Sequence, residues 1–312
     1  MLTSVFFGTP DFSVGCLRAA AAGSRVLAVV TGPDMPRGRG QHLQPSPVKA
    51  AALELGLPVL QPESLREPAF IDQMTALGAD LGVVVAFGRI LGRRLLRAPR
   101  LGCVNVHASL LPLLRGAAPI QRAVMQGHAE TGVAIMQMTL GLDEGPVHFM
   151  ERTPIGLRET GGELHDRLAV LGAEALAEFL RRAAAGPLAP ALAQDARGST
   201  YAEKLGPVDE WLDWRRSARE LDCQIRGLAP RPGACSRFRG ERLRVLEAVP
   251  VDVEGEPGTV RLDAEPVVAC GEGGLRLTRV QAAGRKAVTG REFVNGAHLV
   301  QGEVFGEEGG PP

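Results

Sequence analysis

Three polar residues in otherwise apolar surroundings could carry chemistry. The segment Gly102-Cys-Val-Asn-Val-His107 reads as an apolar strand interrupted by Asn105 and His107. Two residues apart on a strand, their side chains leave the same face. They stand at its C-terminal end, where open parallel sheets bind their ligands. The next residues, Ala108-Ser-Leu-Leu-Pro112, turn the chain sharply, and a helix is expected to start within Arg115-Gly-Ala-Ala-Pro-Ile120. A polar pair at the mouth of an apolar strand costs free energy unless it is used or satisfied. A structural pair that anchors the turn is the plain alternative. A second loop, Thr139-Leu-Gly-Leu-Asp143-Glu-Gly-Pro146, follows the apolar run at 132–138. If that run is a parallel strand, the loop lies at the same end of the sheet. Asp143 could then orient and charge-stabilise His107. A turn aspartate in a Gly-rich loop is equally ordinary, and Glu144 is a rival carboxylate. An amide, an imidazole and a carboxylate together suit acyl transfer. They supply a fixed donor for a developing oxyanion, a proton carrier that works near neutrality, and a charge beside it.

The elements that must position these residues alternate. Strands are predicted at 5–8, 25–30, 57–60, 81–87, 102–107 and 132–138, with helices at 12–22, 47–55, 119–125 and 162–185. LGVVVAF at 81–87 is apolar throughout, as a strand covered on both faces must be. Strands alternating with helices imply an α/β fold with a mostly parallel, Rossmann-like sheet. The loop Gly8-Thr-Pro-Asp-Phe12 lacks the second and third glycines of GxGxxG. A dinucleotide site therefore has little support. From Gly186 the stretch GPLAPALAQDARGST has no period and reads as a linker. A helix at 217–226 and short strands at 234–238, 243–248, 258–262, 267–269 and 275–280 follow, punctuated by Gly and Pro as in a small β-barrel. The expected division is a catalytic domain at 1–189, a linker at 190–207 and a barrel domain at 208–312, whose tail from 303 reads as disordered.

Composition narrows the class. The chain has 312 residues with 45% apolar and 22% charged side chains, which suits two globular domains. Lysine plus arginine equals aspartate plus glutamate at 35 each, so any nucleic-acid surface must be local. Five cysteines without CxxC spacing argue against a disulfide framework or a zinc site. The five histidines other than His107 share no metal spacing, so no metal is expected. No basic leader and no long apolar run is visible, so a cytoplasmic protein without membrane contact is expected.

Several segments together resemble the methionyl-tRNA formyltransferase family. They are FFGTPDFS at 6–13, GRGQHLQPSPVK at 38–49, VVVAFGRIL at 83–91, NVHASLLPLLRGAAPIQR at 105–122, ETGVAIMQMTLGLDEG at 130–145 and TYAEKL at 200–205. The resemblance implies transfer of the formyl group of 10-formyltetrahydrofolate to the α-amine of methionyl initiator tRNA, without a metal and as a monomer. It implies catalytic roles for Asn105, His107 and Asp143, choosing Asp143 over Glu144 by analogy. It places the folate pocket on Phe87, Arg89, Ile90, Leu91, Ser109, Leu110, Leu111 and Pro112 and on the loop at 141–143, with Ile90 and Leu91 as apolar walls for the pterin. Contacts to tRNA fall on the segment 34–47, with Arg37 and Arg39, and on Lys204, and the second domain is an OB-like barrel. Arg237, Arg239 and Arg242 are candidates for further phosphate contacts. Two departures stand out. Gln41 and His42 replace the basic residues usual after GRG, and Ala108 replaces a common glycine. From residue 208 onward 15 basic residues face 17 acidic ones, so no basic face is evident there. A nucleotide-sugar formyltransferase shares the Asn–His–Asp set, but GAAPIQR, the GRG segment and TYAEKL argue against it. A dinucleotide-dependent oxidoreductase and a non-catalytic RNA-binding module are the readings from other classes.

Overall fold

A computed structural model describes residues 1–37 and 42–306. The chain divides into two compact units. The first comprises Met1–Gly116, Glu130–Pro154 and His165–Ala202, and the second comprises Ala117–Ala129, Ile155–Leu164 and the chain from Glu203 on.

The first unit is built on β1 (Thr3–Gly8), α1 (Phe12–Gly23), β2 (Arg25–Val30), β3 (Met35–Arg37), β4 (His42–Gln44), α2 (Pro47–Glu54), β5 (Val59–Leu60), α3 (Pro68–Ala76), β6 (Leu81–Val85), α4 (Arg93–Leu96), β7 (Cys103–His107) and β8 (Arg115–Gly116). The helix α5 (Pro119–Met125) belongs to the second unit. The chain then returns as β9 (Glu130–Gln137), β10 (Val147–Pro154), α6 (Gly161–Ala185, whose first turn belongs to the second unit) and β11 (Tyr201–Ala202). Seven strands form one sheet in the order β10-β9-β7-β6-β1-β2-β5. The strands β1, β2, β5, β6 and β7 run parallel, and all five residues of β6 are buried. One face carries Val5, Phe7, Ala28, Val30, Val84 and Cys103, covered by Phe70, Ile71 and Met74 of α3 and by Leu95 and Leu96 of α4. On the other face Gly172 of α6 comes so near β7 that a Cβ there would lie 3.1 Å from Val106 Cγ1. Ser46 caps α2 by accepting from the Lys49 N–H at 3.0 Å, with Pro47 at the first position, where its missing N–H is harmless.

The sheet corrects one expectation. β9 runs antiparallel to β7, with Val104 opposite Gln137 and His107 opposite Ala134. The helix between them, α5, belongs to the second unit, where it packs on α7 (Ala218–Leu228). The strand β10, which sequence reading did not foresee, is antiparallel to β9. Its central residues Glu151 and Met150 are exposed, so it shows no apolar run to read. The helices α3 and α4 were also unforeseen, as was the pairing of β3 with β4 inside the segment read as one long loop.

In the second unit α7 begins with a capping box. Ser217 and Glu220 satisfy each other's backbone N–H. Six strands follow: β12 (Ala234–Phe238), β13 (Glu241–Val251), β14 (Val260–Leu262), β15 (Pro266–Ala269), β16 (Gly274–Ala282) and β17 (Val288–Thr289), with α8 (Gly290–Ala297) after them. All their pairings are antiparallel. The segment expected to be a disordered tail starts by closing this sheet into a barrel. Thr259 beside β14 bridges Val304, and Phe238 of β12 bridges Phe305. Trp214, Leu221, Ile225, Leu277, Phe293 and Phe305 fill the interior. Among the described residues no helix is long and apolar enough to cross a membrane.

Candidate active site

The alternation of β7 sets the site. Cys103, Asn105 and His107 share the face covered by α3 and α4, while Val106 points to α6. Asn105 is half-buried and His107 is buried. The imidazole Nε2 lies 3.0 Å from the Leu114 carbonyl oxygen. A carbonyl can only accept, so Nε2 carries the proton, and Nδ1 is the nitrogen left facing the site. Asp143 Oδ2 stands 3.7 Å from that Nδ1, beyond a direct hydrogen bond but close enough for charge to act. The group that orients His107 by hydrogen bond is therefore the backbone at Leu114, with Asp143 providing the adjacent charge.

Asp143 reaches the imidazole by an unforeseen route. Because β9 is antiparallel, its last residues lie beside the start of β7, where the Met138 N–H donates to the Cys103 carbonyl at 2.7 Å. The chain then turns back over the His107 face before β10 begins at Val147, opposite Met136, which itself pairs with Asn105. Nine residues lie between Gln137 and Val147, fewer than the dozen or more (roughly) that a parallel crossover takes. Asp143 sits in the left-handed region at φ 53°, unusual for a residue with a Cβ, and its Oδ2 accepts the Gly116 N–H at 2.8 Å. Gly116 has φ 112°, and a Cβ there would lie 2.8 Å from the Ala202 carbonyl oxygen, so only glycine fits. Glu144, the rival carboxylate, is more than half exposed and lies 3.8 Å from Arg115.

Among the residues assigned to folate by resemblance, the structure separates those that build from those that face outward. Phe87 and Leu91 are buried in the core cluster with Leu95 and Leu96, and the Phe87 ring meets Phe7 edge-on at 5.6 Å. Arg89 donates to the carbonyls of Pro62 at 2.9 Å and Glu63 at 2.7 Å, tying its segment to the end of β5. Ser109 donates to the Leu113 carbonyl at 2.6 Å and closes the turn after His107. Leu110 is buried, Leu111 packs with Ala134, Met136 and Val147, and the Pro112 carbonyl accepts the Thr200 N–H. Ile90 is 88% exposed, a large aliphatic side chain held out at the end of β6. A cavity of about 470 Å³ lies beside the start of β7, lined by Arg93, Leu96, Arg97, Gly102, Met138 and Leu140 among others, and none of the residues assigned to folate lines it.

Of the residues assigned to tRNA, Arg37 ends β3 and Lys204 is exposed in the second unit. Arg39 lies outside the described residues. The barrel arginines are engaged within their own unit. Arg239 bonds Glu303 and the Ala297 carbonyl, Arg242 bonds Glu210, and Arg237 lies over the Trp211 ring at 5.2 Å. Among the described residues no three His, Cys, Asp or Glu side chains gather as metal ligands would. Sequence reading missed Gln194 and Thr200, which sit in the stretch read as linker and bond to both site loops. Thr200 opens the TYAEKL segment that carried part of the resemblance, whereas Gln194 had no signal beyond lying a few residues before it.

Comparison with known proteins agrees with this architecture. The Formyl transferase profile matches residues 3–180, and the Formyl transferase, C-terminal domain profile matches residues 204–298. Methionyl-tRNA formyltransferase of Parvibaculum lavamentivorans is 51% identical over 305 residues, covering 96% of this chain and 98% of that one. The enzyme of the same name from Symbiobacterium thermophilum is 51% identical over 312 residues, covering 98% and 95%. Among solved structures, an N-formyltransferase from Helicobacter canadensis, in complex with folinic acid and dTDP-3-aminofucose, superposes with a TM-score of 0.65 at 15% identity over 90% of this chain and 99% of that one. At that identity the match speaks for the fold alone. With its matched N- and C-terminal domains and near-full-length relatives at half identity, the chain belongs to the methionyl-tRNA formyltransferase family.

Proposed function

We propose that this chain transfers the formyl group of 10-formyltetrahydrofolate to the α-amino group of methionyl initiator tRNA, acting as a cytoplasmic monomer in translation initiation. The observation that carries the reading is Asp143 standing 3.7 Å from the His107 imidazole, on the face of β7 that Asn105 shares with His107, in a chain half identical to enzymes of that name. 10-Formyltetrahydrofolate supplies the formyl carbon. Asn105 donates from its amide to the formyl oxygen as that oxygen gains negative charge. His107, with Nε2 held on Leu114, accepts the proton shed by the attacking amine at Nδ1, directly or through a water. Asp143 stabilises the resulting imidazolium from 3.7 Å. As the tetrahedral adduct collapses, the bond from the formyl carbon to the folate N10 breaks while His107 returns the proton to that departing nitrogen, leaving the formamide, tetrahydrofolate and a neutral imidazole. The residues present fit the donor. Exposed Ile90 offers an apolar cover for a flat ring.

The acceptor separates this reading from a nucleotide-sugar formyltransferase, which would use the same set of three residues. The purified enzyme, given 10-formyltetrahydrofolate with methionyl-tRNA and an amino-sugar nucleotide in competition, formylates the tRNA. Formylation of the sugar alone would overturn the proposal.

A further inference from the structure

The stretch between α6 and β11 is irregular in sequence, yet in the fold it holds both site loops at once. The Gln194 amide group donates to the carbonyls of Asp143 at 2.8 Å and Gly145 at 2.7 Å. Its own oxygen accepts from Arg115 Nε at 3.1 Å and Nη2 at 2.8 Å. Arg115 is 6% exposed, so its guanidinium depends on such internal acceptors. Six residues on, Thr200 Oγ1 accepts the Leu114 N–H at 2.8 Å, and the Thr200 carbonyl accepts the Arg115 N–H at 2.9 Å. Tyr201 and Ala202 then pair in parallel with Arg115 and Gly116.

These bonds complete a ring through the site. His107 is held by the Leu114 carbonyl, Leu114 by Thr200, and Arg115 by Gln194. Gln194 holds the Asp143 backbone, and Asp143 returns to Gly116. Leu114 and Asp143 are both in left-handed backbone conformations, at φ 57° and 53°, which persist only where neighbours over-determine them.

We infer that Gln194, seated on Arg115, is a positioning residue that sets the separation between Asp143 and the His107 imidazole. The inference rests on the proposed function for its activity readout, but its structural core can be tested without it. The discriminating variants are Gln194→Ala and Gln194→Glu. Glutamate keeps an acceptor for Arg115 but cannot donate to the two carbonyls, and it turns a carboxylate toward them. The expected result is a fall in kcat of about 100-fold in both variants, the scale of a small misplacement of catalytic groups. KM for the folate and for methionyl-tRNA stays unchanged, and hydrogen exchange speeds up at the 113–116 and 141–145 amides. A stabilising role alone would lower the folded fraction and the melting temperature while leaving kcat per folded enzyme intact. Native kcat per folded enzyme in Gln194→Ala, or recovery of kcat by Gln194→Glu, overturns the inference. If the wild-type chain itself fails to formylate methionyl-tRNA, the functional proposal fails, and the exchange experiment still decides whether Gln194 holds the Asp143 loop.

Discussion

The corner around His107 and the hairpin of β3 and β4 are both loop structure at the rim of one sheet, and they are built in opposite ways. In the corner the imidazole Nε2, the Asp143 carboxylate and the backbone of Leu114 to Gly116 each meet a partner from the same unit. The hairpin is secured at its feet. Lys49 grips the Asp34 carboxylate at 2.7 Å while Gln61 bonds both Asp34 and the Gly32 carbonyl, and Thr31 meets Ser46 at 2.7 Å. Between the feet, Met35 is 56% and Leu43 72% exposed. Folding alone completes the geometry of the corner, whereas β3 and β4 hold two large apolar side chains, Met35 and Leu43, out to solvent. A reaction centre gains from the first arrangement, because preorganised donors need no reorganisation as charge develops. A recognition surface can use the second, since exposed apolar side chains lose water contact when a partner covers them.

Four predictions would sharpen or break this contrast. His107→Ala removes the proton carrier from a finished site, so turnover falls by roughly 10²–10⁴-fold while folate affinity and the fold hold. Near-native turnover in rapid-quench assays would take His107 out of the chemistry. Ile90→Asp comes next. Full covering of such a side chain by a ligand is worth about 1.5–3 kcal/mol, so folate affinity drops by roughly 10–100-fold. Calorimetry showing unchanged affinity would place the pterin elsewhere. Arg39→Ala, in the segment 34–47 assigned to tRNA, should raise KM for methionyl-tRNA several-fold, lower the salt slope of tRNA binding by about one, and leave the folate untouched. Normal formylation across a salt titration would make the segment 34–47 a passive insertion.

The smallest effect belongs to the hairpin's foot. Hydrogen bonds from Lys49 and Gln61 hold the Asp34 carboxyl below its ordinary value of 3.8. With a lower folded than unfolded value, the contact contributes fully above that ordinary value and fades as pH falls through the folded one. Asp34→Asn should therefore unfold at slightly lower denaturant than wild type at neutral pH, and the gap should close in acid. A gap that persists unchanged at the most acidic pH would assign it to packing rather than charge.

Much of this site was legible in the sequence because its signals are local. The period-two spacing of Asn105 and His107 puts them on one face of any strand. The all-apolar run of β6 demands cover on both sides, and the Ser46-Pro47 start of α2 carries its own cap. The motifs shared with formyltransferases marked Asp143 out from Glu144, which spacing could not do. What only the tertiary structure decided depends on partners distant in the chain. No local signal says whether β9 runs parallel or antiparallel to β7, and the helix between them, α5, packs on α7, roughly a hundred residues later. That choice sends the Asp143 loop to His107 over the sheet's face instead of from its end. Gln194 and Thr200 look like linker because their bonds go to backbone groups about 50 to 90 residues earlier, and such bonds leave no periodic trace. Glu303 to Gly306 reads as tail for the same reason. Its strand character exists only between the two sheet edges that it joins.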